Sequence, residues 1–253
     1  MAYTTIKKPS DYFNTKLYTA NNTGGTSITG VGFQPDLIWF KNRTTSGYGH
    51  RWCDSIRGAN KLISSDSSSA EATPTDSVRS IDSDGFTLGV DNEGYGVNYP
   101  NGNNIVSWNW KANGSGSANT DGSISSTVSA NTTSGFSIVQ YTGTGSAGTI
   151  GHGLGAVPKM IIVKRTSSSD SWTVGHNSMG WGKYLRLDTT SAEASNTNTW
   201  NNTTPTSTVF SVNHDDVNAS GVTFIAYCFA EKKGYSKIGS YSGNGNAEGP
   251  FVY

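Results

Sequence analysis

The chain has 253 residues, 18 basic and 18 acidic side chains and a formal net charge of zero. That balance argues against a basic stripe for nucleic acid or a polybasic patch for anionic lipid, and no apolar run approaches the roughly 20 residues of a membrane helix. Hydrophobic residues make up only 34% and charged residues 14%, but 11% aromatics supply a core that a disordered chain lacks.

In chain order, residues 1–12 read as an N-terminal arm, either flexible or an attachment peptide. Met1 to Ile6 has no apolar stretch of the kind a secretory signal needs. Cys53 and Cys228 lie far apart and form no disulfide framework, so synthesis in a reducing cytoplasm is expected. Residues 13–112 read as a first repeat and 113–134 as a Ser/Thr/Gly/Asn-rich linker. Residues 135–234 read as a second repeat, and 235–253 as the start of a truncated third, favoured as a fragment of a longer array.

The repeat rests on ordered matches at a nearly constant offset. Pro35-Asp36-Leu37-Ile38-Trp39-Phe40-Lys41 matches Pro158-Lys159-Met160-Ile161-Ile162-Val163-Lys164. Trp52 pairs with Trp172, and Asp66–Ala72 with Asp188–Ala194. Phe86-Thr87-Leu88 pairs with Phe210-Ser211-Val212, and Ile105–Trp110 with Phe224–Phe229. Leu17-Tyr18-Thr19 resembles Gln140-Tyr141-Thr142, and the same opening returns at Gly239-Ser240-Tyr241.

Helical periodicity is nearly absent, whereas short β-prone runs separated by Gly- and Asn-rich turns are frequent. Phe136–Tyr141 alternates, Met160–Val163 is continuously apolar as a strand buried on both faces would be, and Ile105–Trp110 puts Val106, Trp108 and Trp110 on one face. Within 113–134, Gly122–Ala130 alternates weakly and is a candidate edge strand. The fold class expected is all-β, with two tandem β-sandwich domains of jelly-roll or lectin-like type, each of seven or eight strands. The short junction Glu231–Tyr235 should hold the third unit more rigidly than the longer linker holds the first two.

An enzyme needs a constellation, and none is found. His50, His152, His176 and His214 show no metal-ligand spacing. His214-Asp215-Asp216 is the best metal-like cluster, with a polar turn as the preferred reading. Asp82-Ser83-Asp84-Gly85 hints at calcium but lacks the later ligands of a calcium loop. Glu71 and Glu193 occupy equivalent places in two repeats, so they do not flank one bond as an acid–base pair must. No cofactor and no metal are expected.

Several blocks carry a family resemblance. They are Asp11–Thr19, Gly32–Arg43, Asp54–Ala59, Ser80–Gly89, Val106–Ala112, Tyr227–Glu231 and Gly234–Tyr241. Together they resemble a repeat-domain family of marine bacteriophage and cyanophage tail and tail-fibre proteins. The resemblance covers almost the whole chain. It implies a virion component without catalytic residues, assembled in the host cytoplasm and exposed outside the cell. The first function expected is a tail-fibre or adhesin segment that binds a host-surface glycan or protein. The alternative is a spacer or a capsid or tail decoration, and a depolymerase comes last. Expected partners are other virion proteins, reached through residues 1–12, the host receptor, and further copies of the chain, a trimer by analogy with fibres.

Positions matched between the repeats (Trp39/Ile162, Trp52/Trp172, Trp108/Tyr227, Trp110/Phe229) read as core. A receptor site belongs in loops where the repeats diverge. That reasoning selects Tyr95 and Tyr99 with Asn92, Asn98 and Asn101, and Trp181 and Trp200 in the second repeat. The competing reading makes these rings caps of the core.

Overall fold

The computed structural model describes residues 4–251, and almost all of its regular structure is antiparallel β. In the N-terminal half the strands are β1 (Phe13–Thr19), β2 (Thr26–Thr29), β3 (Leu37–Asn42), β4 (Arg51–Asp54), β5 (Gly58–Ser64), β6 (Val78–Asp82), β7 (Gly85–Leu88) and β8 (Asn104–Trp110). They form a five-stranded sheet of order β1-β8-β3-β4-β5 and a three-stranded sheet of order β2-β7-β6.

The C-terminal half begins inside the segment expected as a linker. Residues 113–134 carry β9 (Ser117–Asn119) and β10 (Ser126–Asn131), polar strands whose ladder pairs them onto the next sheet. The remaining strands are β11 (Phe136–Thr142), β12 (Gly148–Gly151), β13 (Met160–Arg165), β14 (Thr173–His176), β15 (Lys183–Arg186), β16 (Ala194–Ser195), β17 (Val209–Val212) and β18 (Thr223–Phe229). One short helix, α1 (Asp215–Asn218), lies between the last two. The large sheet runs β16-β15-β14-β13-β18-β11-β10-β9, and β12 pairs with β17.

Within that sheet the order β11-β18-β13-β14-β15 repeats the order β1-β8-β3-β4-β5. The matched sequence blocks occupy matched strands: Trp39 and Ile162 on β3 and β13, Trp52 on β4 opposite Trp172 beside β14.

Three apolar cores separate four layers. One lies between the five-stranded and three-stranded sheets, around Ile38, Phe40, Leu62, Phe86 and Leu88. Another lies between the eight-stranded sheet and the β12–β17 pair, around Tyr141, Val163, Phe210 and Phe224. The third joins the two large sheets through Trp52, Ile63, Ile138, Ile162, Trp172 and Tyr227. This explains the continuous apolar runs of β3 and β13, because each has a core on both faces.

The large sheets cross. The Phe136, Met160 and Phe229 ends of the C-terminal strands lie against Phe13 and Trp110. Their opposite ends, at Gln140, Thr166 and Thr223, lie against Ile56, Arg57, Lys61 and Glu71 near β4 and β5.

The two halves share a core, whereas residues 237–251 form no strand and are mostly exposed. Val252 and Tyr253, which close the expected third repeat, and Met1–Tyr3 of the expected arm lie outside the described residues. Gly85 shows how closely β7 runs beside β2 within the three-stranded sheet: its φ is +145° and a Cβ there would stand 1.9 Å from the Ile28 carbonyl oxygen. Only glycine accepts both conditions at that hairpin.

Candidate binding site

The loop from Asp91 to Asn103 connects β7 to β8 and is built from inside. Asp91 is buried in a left-handed conformation (φ 55°). Its carboxylate accepts the Ser77 hydroxyl at 2.7 Å and the backbone N–H groups of Tyr95, Val97 and Asn98 at 2.9–3.1 Å. Asn98 is also buried: its Nδ2 donates to Gly89 O at 2.6 Å and its Oδ1 accepts from Asn21 N at 3.1 Å. The Tyr18 hydroxyl donates to Val97 O at 2.6 Å, tying the loop to β1. Saturating buried polar groups this way holds a loop in one shape.

What the loop presents is Tyr99, 38% exposed, with its ring edge-on to Tyr48 at 6.3 Å. Tyr48 sits on the β3–β4 loop, whose Thr44 and Thr45 amides are held by Asn42 Oδ1 at 3.0 Å. Asn42 Nδ2 donates to Tyr99 O at 3.3 Å, and Asn103 Nδ2 donates to Thr45 Oγ1 at 2.7 Å, so the two loops are fastened together. Nearby, the Arg51 guanidinium lies 5.2 Å from the centre of the Tyr95 ring and donates to Tyr95 O at 3.3 Å. Burial, then the Glu93 carboxylate, pushes the Tyr95 phenol above its ordinary pKa, so it stays protonated. The Asn92 and Asn101 side chains are exposed and make no hydrogen bond among the described residues. The surface comprises the exposed Tyr99 ring, packed edge-to-face with Tyr48, and the unbonded amides of Asn92 and Asn101 on the same loop.

A family model described as a domain of unknown function (DUF7483) matches residues 8–253. The chain belongs to that family. No curated protein and no solved structure matches it. The description of DUF7483 carries no activity, so the chemistry of the site rests on its residues.

Of the residues selected from sequence in this DUF7483 chain, the loop carries Asn92, Tyr99 and Asn101 exposed and Tyr95 half-buried. Asn98 is corrected: it is fully buried and serves the loop's interior. Trp181 and Trp200 are corrected too. They are 5% and 0% exposed and meet edge-to-face at 5.6 Å inside the C-terminal core. Gly175 makes room for them, since a Cβ there would stand 2.5 Å from Trp181 and 2.8 Å from Trp200. No ligand reaches those rings without opening the core. Tyr48 and Arg51 were not selected, because only the fold brings the β3–β4 loop beside Tyr99.

The other candidates resolve into scaffold. His214 caps α1, accepting Asp216 N at 3.2 Å on Nδ1, and Asp216 pairs with Arg186. The Asp84 carboxylate accepts Gly30 N and Gly32 N at 2.9 and 2.5 Å, so both its oxygens fasten the β6–β7 hairpin to the segment after β2, and Asp82 accepts the Thr87 hydroxyl at 2.7 Å. Among the described residues no three His, Cys, Asp or Glu side chains gather as metal ligands. Glu71 and Glu193 play one repeated part, pairing with Lys61 at 3.3 Å and Lys183 at 2.5 Å. His152 is buried with Nε2 3.2 Å from Thr206 O, and burial lowers its pKa, so it stays neutral.

Proposed function

We propose that this chain is a non-enzymatic segment of a bacteriophage tail fibre or similar virion appendage, built as two tandem β-sandwich units. It is assembled in the host cytoplasm, works outside the cell, and binds a host-surface glycan or protein through the Tyr99 platform without a cofactor. The resemblance of the sequence blocks supports the virion context. The observation that carries the binding role is Tyr99: an exposed aromatic ring on a loop whose buried polar groups are hydrogen-bonded, with the unpartnered amides of Asn92 and Asn101 on the same loop. A sugar ring stacks on an aromatic face while amides bond its hydroxyls, and a pre-formed surface binds at lower entropic cost than a mobile one.

A glycan array followed by titration of the hits tests this. Binding lost in Tyr99→Ala and weakened in Asn101→Ala, with unchanged melting temperature, supports the site. Glycan binding unaffected by Tyr99→Ala removes it. The second reading, a structural spacer, draws on the shared central core, which makes the two halves one stiff body. It takes over if the purified chain binds no glycan and no host cell, and if electron cryomicroscopy of the particle finds Tyr99 against a neighbouring subunit.

A further inference from the structure

The two halves differ at one edge. In the C-terminal half β11 is covered, because β10 pairs along it from Ser126–Tyr141 to Asn131–Phe136. The equivalent strand of the N-terminal half, β1, pairs with β8 on one side only and ends the sheet on the other.

Strand alternation shows which groups are left over. Lys111 N donates to Tyr12 O at 2.9 Å and Ala20 N to Asn103 O at 2.8 Å. In an antiparallel ladder the residues that exchange hydrogen bonds alternate, so the even-numbered residues of β1 bond β8 and the odd-numbered ones point their N–H and C=O groups away. The Thr15 N–H fits this, since it bonds Oδ1 of its own neighbour, Asn14, at 2.9 Å. No main-chain partner takes the outward groups of Thr15, Leu17 or Thr19 among the described residues. Leu17 is 63% exposed, the most exposed large apolar side chain of any strand among the described residues.

Proteins protect free edges with proline, bulges, brevity or outward lysines. β1 has seven residues, no proline and no register shift. Its one lysine, Lys16, is folded back with Nζ 3.3 Å from Gly30 O.

We infer that β1 is an interface for a second copy of this chain, pairing antiparallel with β1 of the partner subunit about a two-fold axis at Leu17. The intramolecular precedent is β10 on β11, which is the same edge covered by an antiparallel strand. The strand is self-complementary in that register. Leu17 meets Leu17 of the partner subunit, Thr15 meets Thr19 of the partner subunit, and Lys16 meets Tyr18 of the partner subunit. The next register, centred on Lys16, sets two lysines face to face and is disfavoured. The contact is isologous and closes as a dimer with one continuous ten-stranded sheet.

Sedimentation of the full chain tests it. The expected species has twice the 26.8 kDa chain mass. Leu17→Pro removes an outward N–H without touching the β1–β8 ladder, and it should sediment as a folded monomer with unchanged circular dichroism. Leu17→Cys supplies a second readout that needs no loss of structure. Paired residues of this type stand about 5.5 Å apart at Cα, within disulfide reach. Both native cysteines are buried. Mild oxidation should therefore give a covalent dimer from Leu17→Cys and none from Thr26→Cys on the small sheet. A wild-type chain that stays monomeric overturns the proposal. So does an oligomer that survives Leu17→Pro while Leu17→Cys fails to cross-link.

Discussion

The Tyr227 hydroxyl donates a 2.8 Å hydrogen bond to the Asp54 carboxylate, joining β18 of one half to the end of β4 in the other through fully buried groups. Asp54 also accepts from the Arg57 Nε at 2.6 Å and from the Ile56 and Arg57 amides at 3.1 and 2.9 Å. Removing one partner leaves the others buried and paired. Tyr227→Phe should therefore cost about 1.5–3 kcal/mol, the range for losing one hydrogen bond to a charged group that keeps its other donors. Urea unfolding measures it, and a change near zero would mean the bond across the halves adds no stability.

Arg57 is the harder loss. Its guanidinium reaches Asp54, Glu71 at 3.0 Å and the carbonyls of Trp52 and Lys61 at 3.3 and 3.1 Å. Arg57→Ala leaves the Asp54 charge buried beside a void, and breaking a buried pair this way costs about 3–5 kcal/mol. Arg57→Lys should recover only part of that, because an ammonium cannot reach all four acceptors. Equal stability of the two variants would show that packing alone is at stake.

Alkaline stability should rise and then fall. Burial pushes Lys164 down to about 8, with Asp170 and Asp188 pulling the other way. Its Nζ bonds the Arg165 and Ser68 carbonyls at 2.9 and 3.2 Å. Between about 8 and its ordinary 10.5 the unfolded chain holds this proton and the folded one does not, so this lysine's contribution to stability rises with pH. Burial pushes Cys53 and Cys228 up to about 12 from an ordinary 9.0, so above 9 their contribution falls as the unfolded thiols ionise. Urea midpoints stepped through this range should climb from pH 8 to 9 and then turn down. The climb should vanish in Lys164→Met, and its persistence there would assign it to another group.

Two asparagines of one loop should separate stability from binding. Asn98→Ala strands the Gly89 carbonyl and the Asn21 amide, and should lower the melting temperature while loosening Tyr99. Asn101→Ala should leave the melting temperature alone and affect only ligand affinity. Thermal unfolding of both variants, read beside glycan titration, tells them apart; the reverse pattern would move the binding surface elsewhere.

Gly175→Ala should disrupt the Trp181–Trp200 pair, since its Cβ overlaps both rings. Overpacking a core costs about 1–3 kcal/mol. A shift in tryptophan fluorescence with reduced stability is expected, and an unperturbed spectrum would contradict the packing described.

The strands were readable wherever apolar residues recur with a strand's period, and the repeat was readable because matched residues do matched work. Trp52 and Trp172 could be assigned to a core, but their meeting at 5.2 Å across the halves is tertiary and leaves no local pattern. β10 was legible only as the weak alternation of Gly122–Ala130, because Ser126-Thr127-Val128-Ser129-Ala130-Asn131 carries little hydrophobic signal; it forms because β11 offers a ladder. Trp181 and Trp200 misled because divergence between repeats was taken for exposure. The local clue was Gly175, whose missing side chain gives the indoles their space. Of the loop residues, Tyr99 was legible from its turn context, whereas Tyr48 becomes its neighbour only through the pairing of β3 with β8.

The central core also bears on where such a chain can be cut. Each half, taken alone, would turn a tryptophan-bearing sheet face toward water, Trp52 in one and Trp172 in the other. A cut between the halves would therefore bare both faces, while a cut outside them would leave the couple closed.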